Sequence, residues 1–510
     1  MNEIVNGADN DRVAGKLLHL LETKKSAFWE KEREVNALAL FHRVARGVPA
    51  YADFLKKNGI APAKIKTFKD FQRVPPVNKK NYLRQYPLEK LCWGGNLKKE
   101  LVFTSTSGST GEPFYFPRSE RLDWEGSFVH ESFLRQNPAS KKGPTLVLVC
   151  FGMGVWIGGL LTYKGYEIAA RRGGYPVSIL TPGINKREIF YALKKLAPSF
   201  SQTIMIGYAP FIKDILDGAK AEGVDIKKLH LRLSFAAEAF TENFRDYLVE
   251  AGGLKNPCLD TLNVYGSAEI GAMGFETPLA ILIRRLIHKD NSGKVFKSIF
   301  GDIAKTPTLA QYNPTFITFE APGGEILLSG DNTIPLIRYS IGDKGGIVRF
   351  KEMREKLTER KIDLGTEIAQ SGIANYVSEL PFVFIYERAD FSTTLYGLQI
   401  YPEHIREALI KRPVRKFLTG KFTMRTMFDK KQDQYLEINL ELSRNAIINK
   451  TIEQAILKQI VDTLTKSNSE YRELHRFVGD RALPRLVFWP SEDVTYFRPG
   501  VKQQWVMQTK

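Results

Sequence analysis

The residues best suited to chemistry form a loop of small hydroxyl side chains and glycines at 104–113, directly after the apolar residues Leu101, Val102 and Phe103. The loop reads Thr-Ser-Thr-Ser-Gly-Ser-Thr-Gly-Glu-Pro. Glycines let backbone N–H groups approach an anion closely, and hydroxyls add donors without bulk, so such a loop can hold phosphates. The P-loop of the common NTPases is excluded because it requires Gly-Lys-Ser/Thr, and this loop has no lysine. A plain solvated turn is the alternative interpretation of the loop taken alone.

Four later segments carry further candidate groups. Residues 265–269 (Tyr-Gly-Ser-Ala-Glu) follow a predicted strand and present Glu269, a carboxylate suited to Mg²⁺. Residues 337–343 place Asp343 just past another predicted strand, where it could accept hydrogen bonds from ribose hydroxyls. Glu-Arg-Ala-Asp at 387–390 and the Tyr-Gly segment at 396–403 complete the set. Each segment by itself is better explained by a turn glycine, a strand-end salt bridge or a domain linker.

The composition predicts a soluble, cytoplasmic protein with several large cores. The chain has 510 residues, of which 43% are hydrophobic, and its length predicts roughly three domain-sized units. Cys92, Cys150 and Cys258 have neither disulfide-framework nor zinc-site spacing, as expected in a reducing compartment. The polar N-terminus lacks a signal core, and no apolar window reaches the length of a membrane span.

The formal net charge of +18 would attract polyanions. Lys and Arg are nevertheless spread along the whole chain and do not interleave with a recognisable nucleic-acid module. We therefore expect solvated surface charge and no specific nucleic-acid partner, although nucleotides would also be drawn to such a surface.

The elements that must position these groups are helices followed by alternating strands and helices. Apolar spacing predicts helices over 12–58, and Asn78 is a candidate cap for a helix that begins at Lys79. Strands and helices alternate from 145 to 265, which implies parallel βαβ units. Residues 279–287 fit either a packed helix, which is favoured, or a basic helix on a membrane surface. A β-rich region follows from 325, and a last α+β unit begins near 385–390.

The order and spacing of these segments resemble the adenylate-forming superfamily of acyl-CoA synthetases, adenylation domains and luciferases. Residues 106–113 resemble its phosphate loop, 265–269 its Tyr-Gly-x-Thr-Glu motif and 338–343 its Arg-Tyr-x-x-Gly-Asp motif. Arg388, Asp390 and Gly397 are similar to its hinge motif and the glycine that follows. Segments 74–84, 154–159 and 207–210 are similar to the phenylacetate–CoA ligase-like branch. The resemblance covers roughly residues 70–505.

The resemblance implies an α/β fold in two domains. Residues 1–388 would form a large N-terminal ATP- and acid-binding domain, with mixed and parallel sheets flanked by helices and a small β-rich subdomain. Residues 389–510 would form a smaller, mobile α+β C-terminal domain that swings about Asp390 between two half-reactions.

The resemblance also implies the site residues. Ser107, Gly108, Ser109, Thr110 and Gly111 would hold the ATP phosphates, with Thr110 catalytic. Adenine and the AMP phosphate would contact Ala237, Glu238, Ala239, Tyr265, Gly266 and Ser267. Glu269 would bind Mg²⁺ and act in catalysis, whereas Asp343 and Arg388 would bind the ribose. Gly397 would lie beside the thiol donor's channel.

A lysine near the C-terminus, for which Lys502 is the candidate, would stabilise charge on the carboxylate and the α-phosphate. A frayed basic tail is the alternative for this segment. The chain departs from the family at Ala268, Phe114 and Ser340, where relatives often have a hydroxyl residue, Lys and Arg. Ser267 could replace the hydroxyl that Ala268 lacks, but its side chain is expected to point elsewhere.

The function implied is an ATP- and Mg²⁺-dependent ligase that joins a small carboxylic acid to the thiol of CoA through an acyl-adenylate. The acid pocket would draw on 205–211, 236–240 and 265–272. The aromatic residues Trp156, Tyr208, Phe211 and Phe235 favour an aryl acid or form core. Transfer to an amine or a carrier-protein thiol, and a lapsed nucleotide-binding member, stay open as alternatives. An oxidoreductase is disfavoured because Ile157 replaces the third glycine of the dinucleotide fingerprint at 150–158. Serine-hydrolase and zinc-protease patterns are absent, and a homodimer is left open.

Overall fold

The computed structural model describes residues 8–105, 114–237, 239–301, 303, 307–388, 393–409, 411–443, 446–493, 495–497 and 506. The helices are α1 (Ala8–Thr23), α2 (Ser26–Gly47), α3 (Pro49–Lys57), α4 (Phe68–Phe71), α5 (Leu88–Leu91), α6 (Glu120–Arg135), α7 (Ala139–Lys142), α8 (Ile157–Gly173), α9 (Lys186–Lys195), α10 (Ala209–Gly218), α11 (Glu242–Gly252), α12 (Pro257–Asp260), α13 (Pro278–Lys289), α14 (Lys294–Phe300), α15 (Phe350–Glu359), α16 (Leu364–Gln370), α17 (Pro402–Leu409), α18 (Arg412–Arg415), α19 (Lys450–Ser467) and α20 (Ser469–Val478).

The strands are β1 (Val102–Ser105), β2 (Tyr115–Arg118), β3 (Thr145–Cys150), β4 (Val177–Leu180), β5 (Gln202–Gly207), β6 (Leu231–Ala236), β7 (Thr261–Ser267), β8 (Gly271–Phe275), β9 (Thr308–Gln311), β10 (Ile317–Glu320), β11 (Glu325–Gly330), β12 (Leu336–Val348), β13 (Phe382–Arg388), β14 (Thr393–Leu395), β15 (Leu398–Ile400), β16 (Leu418–Phe428), β17 (Gln434–Leu442) and β18 (Arg485–Trp489).

An 11-stranded mixed sheet forms the centre of the molecule, in the order β10-β11-β12-β13-β9-β8-β7-β6-β5-β3-β4. Strands β4, β3, β5, β6 and β7 pair in parallel, so the predicted βαβ units are confirmed. The carboxyl ends of parallel strands meet at one edge of a sheet, which is where α/β proteins place ligands. Strand β8 turns back antiparallel to β7 at that edge. The turn between them carries Ala268 and Glu269.

The predicted N-terminal helices are confirmed as α1, α2 and α3. Asn78 caps the turn that follows Pro75-Pro76, because its side-chain oxygen accepts hydrogen bonds from the backbone N–H of Lys80 and Asn81, each at 2.8 Å. That turn, Lys79–Leu83, is a π-helix rather than an α-helix. The cap fixes the chain at Lys79, the first residue of the turn.

Residues 279–287 lie in α13, which is buried in an apolar cluster with α14 and α15. The favoured interpretation as a packed helix is therefore confirmed. Its buried Arg284 pairs with Glu242 at 3.2 Å and also with Glu276. Since buried guanidinium groups require such carboxylate partners, Arg284 of this basic-looking segment is explained by packing.

The sequence predicts that the strand ends before Asp343. In the structure, the whole motif at 338–343 lies inside β12. Gly342 adopts a φ of 88°, a left-handed conformation that glycine tolerates, and the pairing with β11 shifts register nearby. The strand therefore continues past Asp343, which pairs in register with Arg388 of β13. The irregular backbone directs the motif toward the sheet edge without breaking the strand.

The described strands up to Arg388 belong to the large sheet and to the β1-β2 pair, whereas those from Thr393 form two separate sheets, β14-β15 and β16-β17-β18. Apolar residues of this last part pack on α9, α10 and α11 in one continuous cluster. The predicted fold class is confirmed. The division at 388/389 stays a prediction. None of the helices in the described part of the chain has the length and apolar character needed to cross a membrane.

Candidate active site

A cavity of about 290 Å³ opens at the carboxyl ends of β5, β6 and β7. The three sequence segments expected to form an acid pocket all contribute to its wall. Its described lining consists of Lys79, Ser105, Val129, His130, Phe151, Trp156, Ile157, Gly158, Leu161, Thr162, Ile206, Tyr208, Ser234, Phe235, Ala236, Ala237, Val264, Gly266, Ser267, Ala268, Glu269, Gly271, Ala272, Ile341, Asp343, Gly397, Gln399, Tyr401 and Glu470.

Glu269 is a buried carboxylate held at the polar end of the cavity. Its Oε1 atom lies 2.7 Å from Nζ of Lys79 and accepts a hydrogen bond from the hydroxyl of Tyr339 at 3.4 Å. The side chain of Asn332 donates to its backbone carbonyl at 3.3 Å. These contacts come from three separate elements, so the orientation of Glu269 is fixed by tertiary structure. Lys79, which the sequence did not single out as a site residue, brings a cation to the same place.

Tyr265 and Asp343 form a second polar pair. The Tyr265 hydroxyl donates to Oδ2 of Asp343 at 2.6 Å, and the Tyr265 ring stacks on Phe319 with a centroid distance of 6.1 Å. Asp343 is buried, and it lines the cavity. A carboxylate in the cavity wall is a suitable acceptor for the paired hydroxyls of a ribose.

The turn from β7 to β8 brings its backbone close to the cavity. A Cβ atom on Gly266 would lie 2.9 Å from the backbone oxygen of Gly271, so glycine is required there. Ser267 and Ala268 both line the cavity. The Ser267 hydroxyl, expected to point elsewhere, is buried in the cavity wall and has no hydrogen-bond partner within the described part of the chain.

These residues suit a magnesium–nucleotide complex better than a free metal ion. Within the described ranges, no group of three or more His, Cys, Asp or Glu side chains is arranged for a metal. Mg²⁺ commonly binds one or two carboxylates together with phosphate oxygens of the substrate. The carboxylate of Glu269, with the Ser267 hydroxyl near it in the cavity wall, fits that second mode of binding.

Several predicted site residues lie outside the described residues: Ser107, Gly108, Ser109, Thr110, Gly111, Glu238, Asp390 and Lys502. For Arg388 the backbone is described but the side chain is not. Ala237 lines the cavity with a φ of 75°, whereas Ala239 is exposed and is not among the lining residues. The roles predicted for all of these residues stay predictions.

The C-terminal part supplies one wall of the cavity. Gly397 has a φ of 80°, and a Cβ atom there would lie 2.2 Å from the Tyr208 ring. Gln399, Tyr401 and Glu470 extend this wall. Desolvation raises the pKa of Glu470 to about 7, so its carboxyl group titrates near neutral pH.

A cluster of charges joins this part to α10. Arg481 lies 2.7 Å from Asp433 and 3.1 Å from Asp214, and it also donates to the hydroxyl of Tyr396 at 2.8 Å. Lys213 of α10 lies 2.6 Å from Asp433. Because Tyr396 precedes Gly397, the charge cluster fixes the turn that reaches the cavity.

The opposite end of the cavity is mostly apolar and lies between the sheet and helices α6 and α8. Val129 of α6 and Ile206 of β5 line it. Of the aromatic residues expected in an acid pocket, Trp156, Tyr208 and Phe235 do line the cavity, whereas Phe211 is fully buried core. Sequence patterns did not identify the helix residues, because the side of α6 that covers the sheet becomes known only from packing.

His130 of α6 is the polar exception at this end. Its ring stacks on Tyr166 with a centroid distance of 4.3 Å, and its Nδ1 atom is buried and has no hydrogen-bond partner in the described part of the chain. Burial lowers the pKa of His130 to about 3, so the imidazole is neutral at physiological pH. His130 was not identified as a site residue from the sequence, in which zinc-protease patterns are absent.

Comparison with known proteins agrees with this architecture. No protein-family model matches the chain. A phenylacetate-coenzyme A ligase of Thermus thermophilus is 24% identical over 257 residues, which cover 50% of this chain and 52% of that ligase. The match thus spans about half the length of this curated relative.

Two crystal structures of 2-hydroxyisobutyryl-CoA ligase share the fold. The complex with 2-HIB-AMP and CoA in the thioesterification state is 15% identical, covers 99% of this chain and 94% of that chain, and has a TM-score of 0.63. The postadenylation complex with 2-HIB-AMP is 16% identical, covers 96% and 92%, and has a TM-score of 0.53. The fold is therefore that of the adenylate-forming acyl-CoA ligases. The resemblance to the phenylacetate–CoA ligase-like branch, predicted from the sequence, is confirmed.

Proposed function

We propose that the protein is an ATP-dependent ligase that activates a carboxylic acid as an acyl-adenylate and transfers the acyl group to the thiol of CoA. The observation that carries this proposal is the single cavity that joins Glu269 and Asp343 at one end to an apolar pocket at the other. One cavity thus brings groups suited to a nucleotide next to a pocket suited to an acid. This chain is similar to a phenylacetate-coenzyme A ligase and to a 2-hydroxyisobutyryl-CoA ligase. Both of those proteins are acid–CoA ligases by name, which supports the proposal.

In the first half-reaction, a carboxylate oxygen of the acid attacks the α-phosphorus of ATP, and the bond to the β-phosphate breaks to release pyrophosphate. Asp343, oriented by Tyr265, accepts hydrogen bonds from the ribose hydroxyls. Glu269 would hold Mg²⁺, and the ion would offset the negative charge of the triphosphate. Lys79, 2.7 Å from Glu269, adds a positive charge close to the phosphates, and Lys502 would do the same at the α-phosphate.

In the second half-reaction, the thiol sulfur attacks the acyl carbon, AMP leaves with the bonding electron pair, and the thiol proton passes to solvent. The wall formed by Gly397, Gln399 and Tyr401 is where the thiol would enter. The higher TM-score for the thioesterification complex, 0.63 against 0.53 for the postadenylation complex, supports a docked C-terminal part in the thioester-forming orientation.

The experiment is pyrophosphate release from ATP and Mg²⁺ across a panel of aryl and straight-chain acids, with and without CoA. We expect acid-dependent release in the wild type, strong reduction in Lys502→Ala, and formation of AMP and acyl-CoA when CoA is present. No release with any acid, in the wild type or in Ala268→Thr, would contradict the proposal. Release gained only in Ala268→Thr would identify a lapsed enzyme that kept its fold.

A second candidate acceptor is an amine. Glu470, with a pKa of about 7, gives the C-terminal wall of the cavity partial negative charge at neutral pH. Such a carboxylate attracts an ammonium group and accepts its proton. Replacing CoA by a panel of primary amines in the same assay distinguishes the two acceptors, because an amide product with Glu470-dependent kinetics would favour the amine.

A further inference from the structure

The pairing of the strands defines how deep each cavity residue lies. Ala236 pairs in register with Val264, which directly precedes the Tyr265–Glu269 segment at the polar end. Ser234 lies two residues before Ala236 on β6 and is therefore further from that end. It pairs with Ile206 of β5 and with Leu262 of β7. Ser234 is therefore at the distal end of the pocket, remote from Glu269.

His130 lies at the same depth on the opposite wall. Leu161 of α8 lies close to the polar turn, because a Cβ atom on Gly271 would contact it at 3.3 Å. Gly165 lies a helical turn further along α8, and a Cβ atom there would contact the His130 ring. The ring stacks on Tyr166, which shares an apolar cluster with Ile206 and Leu262, the two strand partners of Ser234. The distal end is thus bounded by His130 and Ser234, and Thr162 of α8 lines it as well.

Polar atoms at this end lack partners. The Ser234 hydroxyl and His130 Nδ1 are buried, and neither makes a hydrogen bond with any part of the chain that the structure describes. Buried polar groups in native proteins are nearly always paired, because an unpaired group loses its hydration without compensation. Two of them on facing walls of one pocket indicate that a ligand supplies the missing partner.

The chemistry of the walls restricts what that partner is. Lys79 is the one Lys or Arg side chain among the described lining residues, and it lies at the Glu269 end. A distal carboxylate or phosphate would therefore have no cation to pair with among the described residues of the cavity wall. A neutral imidazole has one donor and one acceptor, and a serine hydroxyl has both, so together they match an uncharged hydroxyl or carbonyl group.

We propose that His130 and Ser234, with Thr162, form a hydrogen-bonding subsite for the far end of the acid. The substrate class is then a carboxylic acid with an uncharged hydroxyl or carbonyl group remote from its carboxylate. This inference rests on the proposed function, which orients the carboxylate toward Glu269 and Asp343.

The test compares matched acids that differ by a distal hydroxyl or methyl group, in one aryl and one straight-chain series. Calorimetric titration into the full chain gives the Kd of each acid, and pyrophosphate release gives its turnover. We expect the wild type to bind the hydroxyl acid of one series about tenfold more tightly than its methyl analogue. Ser234→Ala and His130→Phe should each reduce that ratio to about threefold or less, since each removes one neutral hydrogen bond.

Thr203→Val is the matched control. Thr203 lies on β5, and its buried hydroxyl also lacks a partner among the described residues, but it does not line the cavity. Equal binding of hydroxyl and methyl acids by the wild type would overturn the inference, and so would a ratio that Ser234→Ala leaves unchanged. A binding preference that Ser234→Ala removes, without pyrophosphate release, would support the subsite and contradict the ligase. Pyrophosphate release together with tighter binding of the methyl acids would support the ligase and contradict the subsite.

Discussion

Glu269 is the residue on which the polar end of the cavity depends, because it is a buried carboxylate that pairs with a cation, Lys79 at 2.7 Å. Glu269→Gln keeps the shape of the side chain and removes its charge. We expect pyrophosphate release at saturating ATP and Mg²⁺ to fall about 100-fold, the usual effect of losing one preorganised electrostatic contact to a transition state. Steady-state pyrophosphate assays over a range of Mg²⁺ concentrations measure this loss.

Glu100→Gln is the control for the Glu269 experiment, because Glu100 is exposed and is not among the residues that line the cavity. It removes the same charge and should leave the rate within about twofold, as surface substitutions usually do. A Glu269→Gln enzyme with wild-type rate and Mg²⁺ dependence would contradict the role assigned to this carboxylate.

His130 makes stability depend on pH. Burial lowers its pKa to about 3 in the folded protein, from about 6.5 for an unperturbed imidazole. Below pH 6.5 the unfolded chain therefore binds a proton that the folded chain excludes, and folding weakens as the pH falls. Between pH 6.5 and 4.5 the loss is about 2–3 kcal/mol, because each pH unit is worth about 1.4 kcal/mol.

His130→Phe should remove that dependence, since a phenyl ring can keep the stack on Tyr166 without titrating. Urea unfolding midpoints of wild type and variant at pH 6.5 and pH 4.5 give the comparison, and the wild type is expected to lose more stability on acidification. Substitution of the exposed His19 by Asn provides the control. Parallel losses in wild type and His130→Phe would show that other groups cause the acid sensitivity.

Among the elements, the β14-β15 hairpin allows the two proposed half-reactions to be tested separately. Gly397 lies at its turn with a φ of 80°, and a Cβ atom would come within 2.2 Å of the Tyr208 ring. Gly397→Ala should therefore displace the hairpin from the cavity. We expect CoA-dependent thioester formation to fall at least tenfold, while acid-dependent pyrophosphate release without CoA stays within about twofold.

Gly420 allows backbone strain to be separated from this contact. It also has a positive φ, 87°, but a Cβ atom there would meet nothing within 4 Å. Gly420→Ala thus introduces the same kind of strain, about 1 kcal/mol, without a clash at the cavity. If both variants lowered thioester formation equally, the approach of the hairpin to Tyr208 would not be the cause.

The elements also explain which parts of the site were predictable from sequence. Tyr265, Glu269 and Asp343 were identified because each lies in a short motif at the end or bend of a strand, where local order along the chain is informative. Lys79, His130, Ser234 and Arg481 were not identified as site residues. Each acquires its role by facing an element distant in sequence, and helical or strand periodicity does not specify that partner.

Local signals were also weaker where the backbone is irregular. The sequence predicted that the strand ends before Asp343, yet Gly342 lets β12 continue to Val348. A glycine in a strand pattern marks either a turn or a bulge, and only the pairing with β11 and β13 distinguishes them. The parallel βαβ order, by contrast, was predictable because buried strands carry continuous apolar runs.

At the scale of the whole molecule, the charge cluster around Arg481 holds the C-terminal part against α10. Arg481 contacts Asp433, Asp214 and the Tyr396 hydroxyl, and it is about one-third exposed (34%). Arg481→Met keeps much of the side-chain volume and removes all of these contacts. Because the cluster is partly solvated, we expect a loss of about 1–3 kcal/mol of docking free energy, between surface and fully buried ion pairs.

That loss should appear as a weaker second half-reaction. Thioester formation by Arg481→Met is expected to fall about 5- to 100-fold and to become more sensitive to NaCl, while pyrophosphate release without CoA is retained. Small-angle X-ray scattering should show a larger radius of gyration as the undocked population rises. Lys351→Met, which breaks the exposed Lys351–Glu355 pair at 3.8 Å, serves as the control and should change neither quantity. Wild-type scattering together with a wild-type thioester rate in Arg481→Met would mean that apolar packing alone holds the C-terminal part in place.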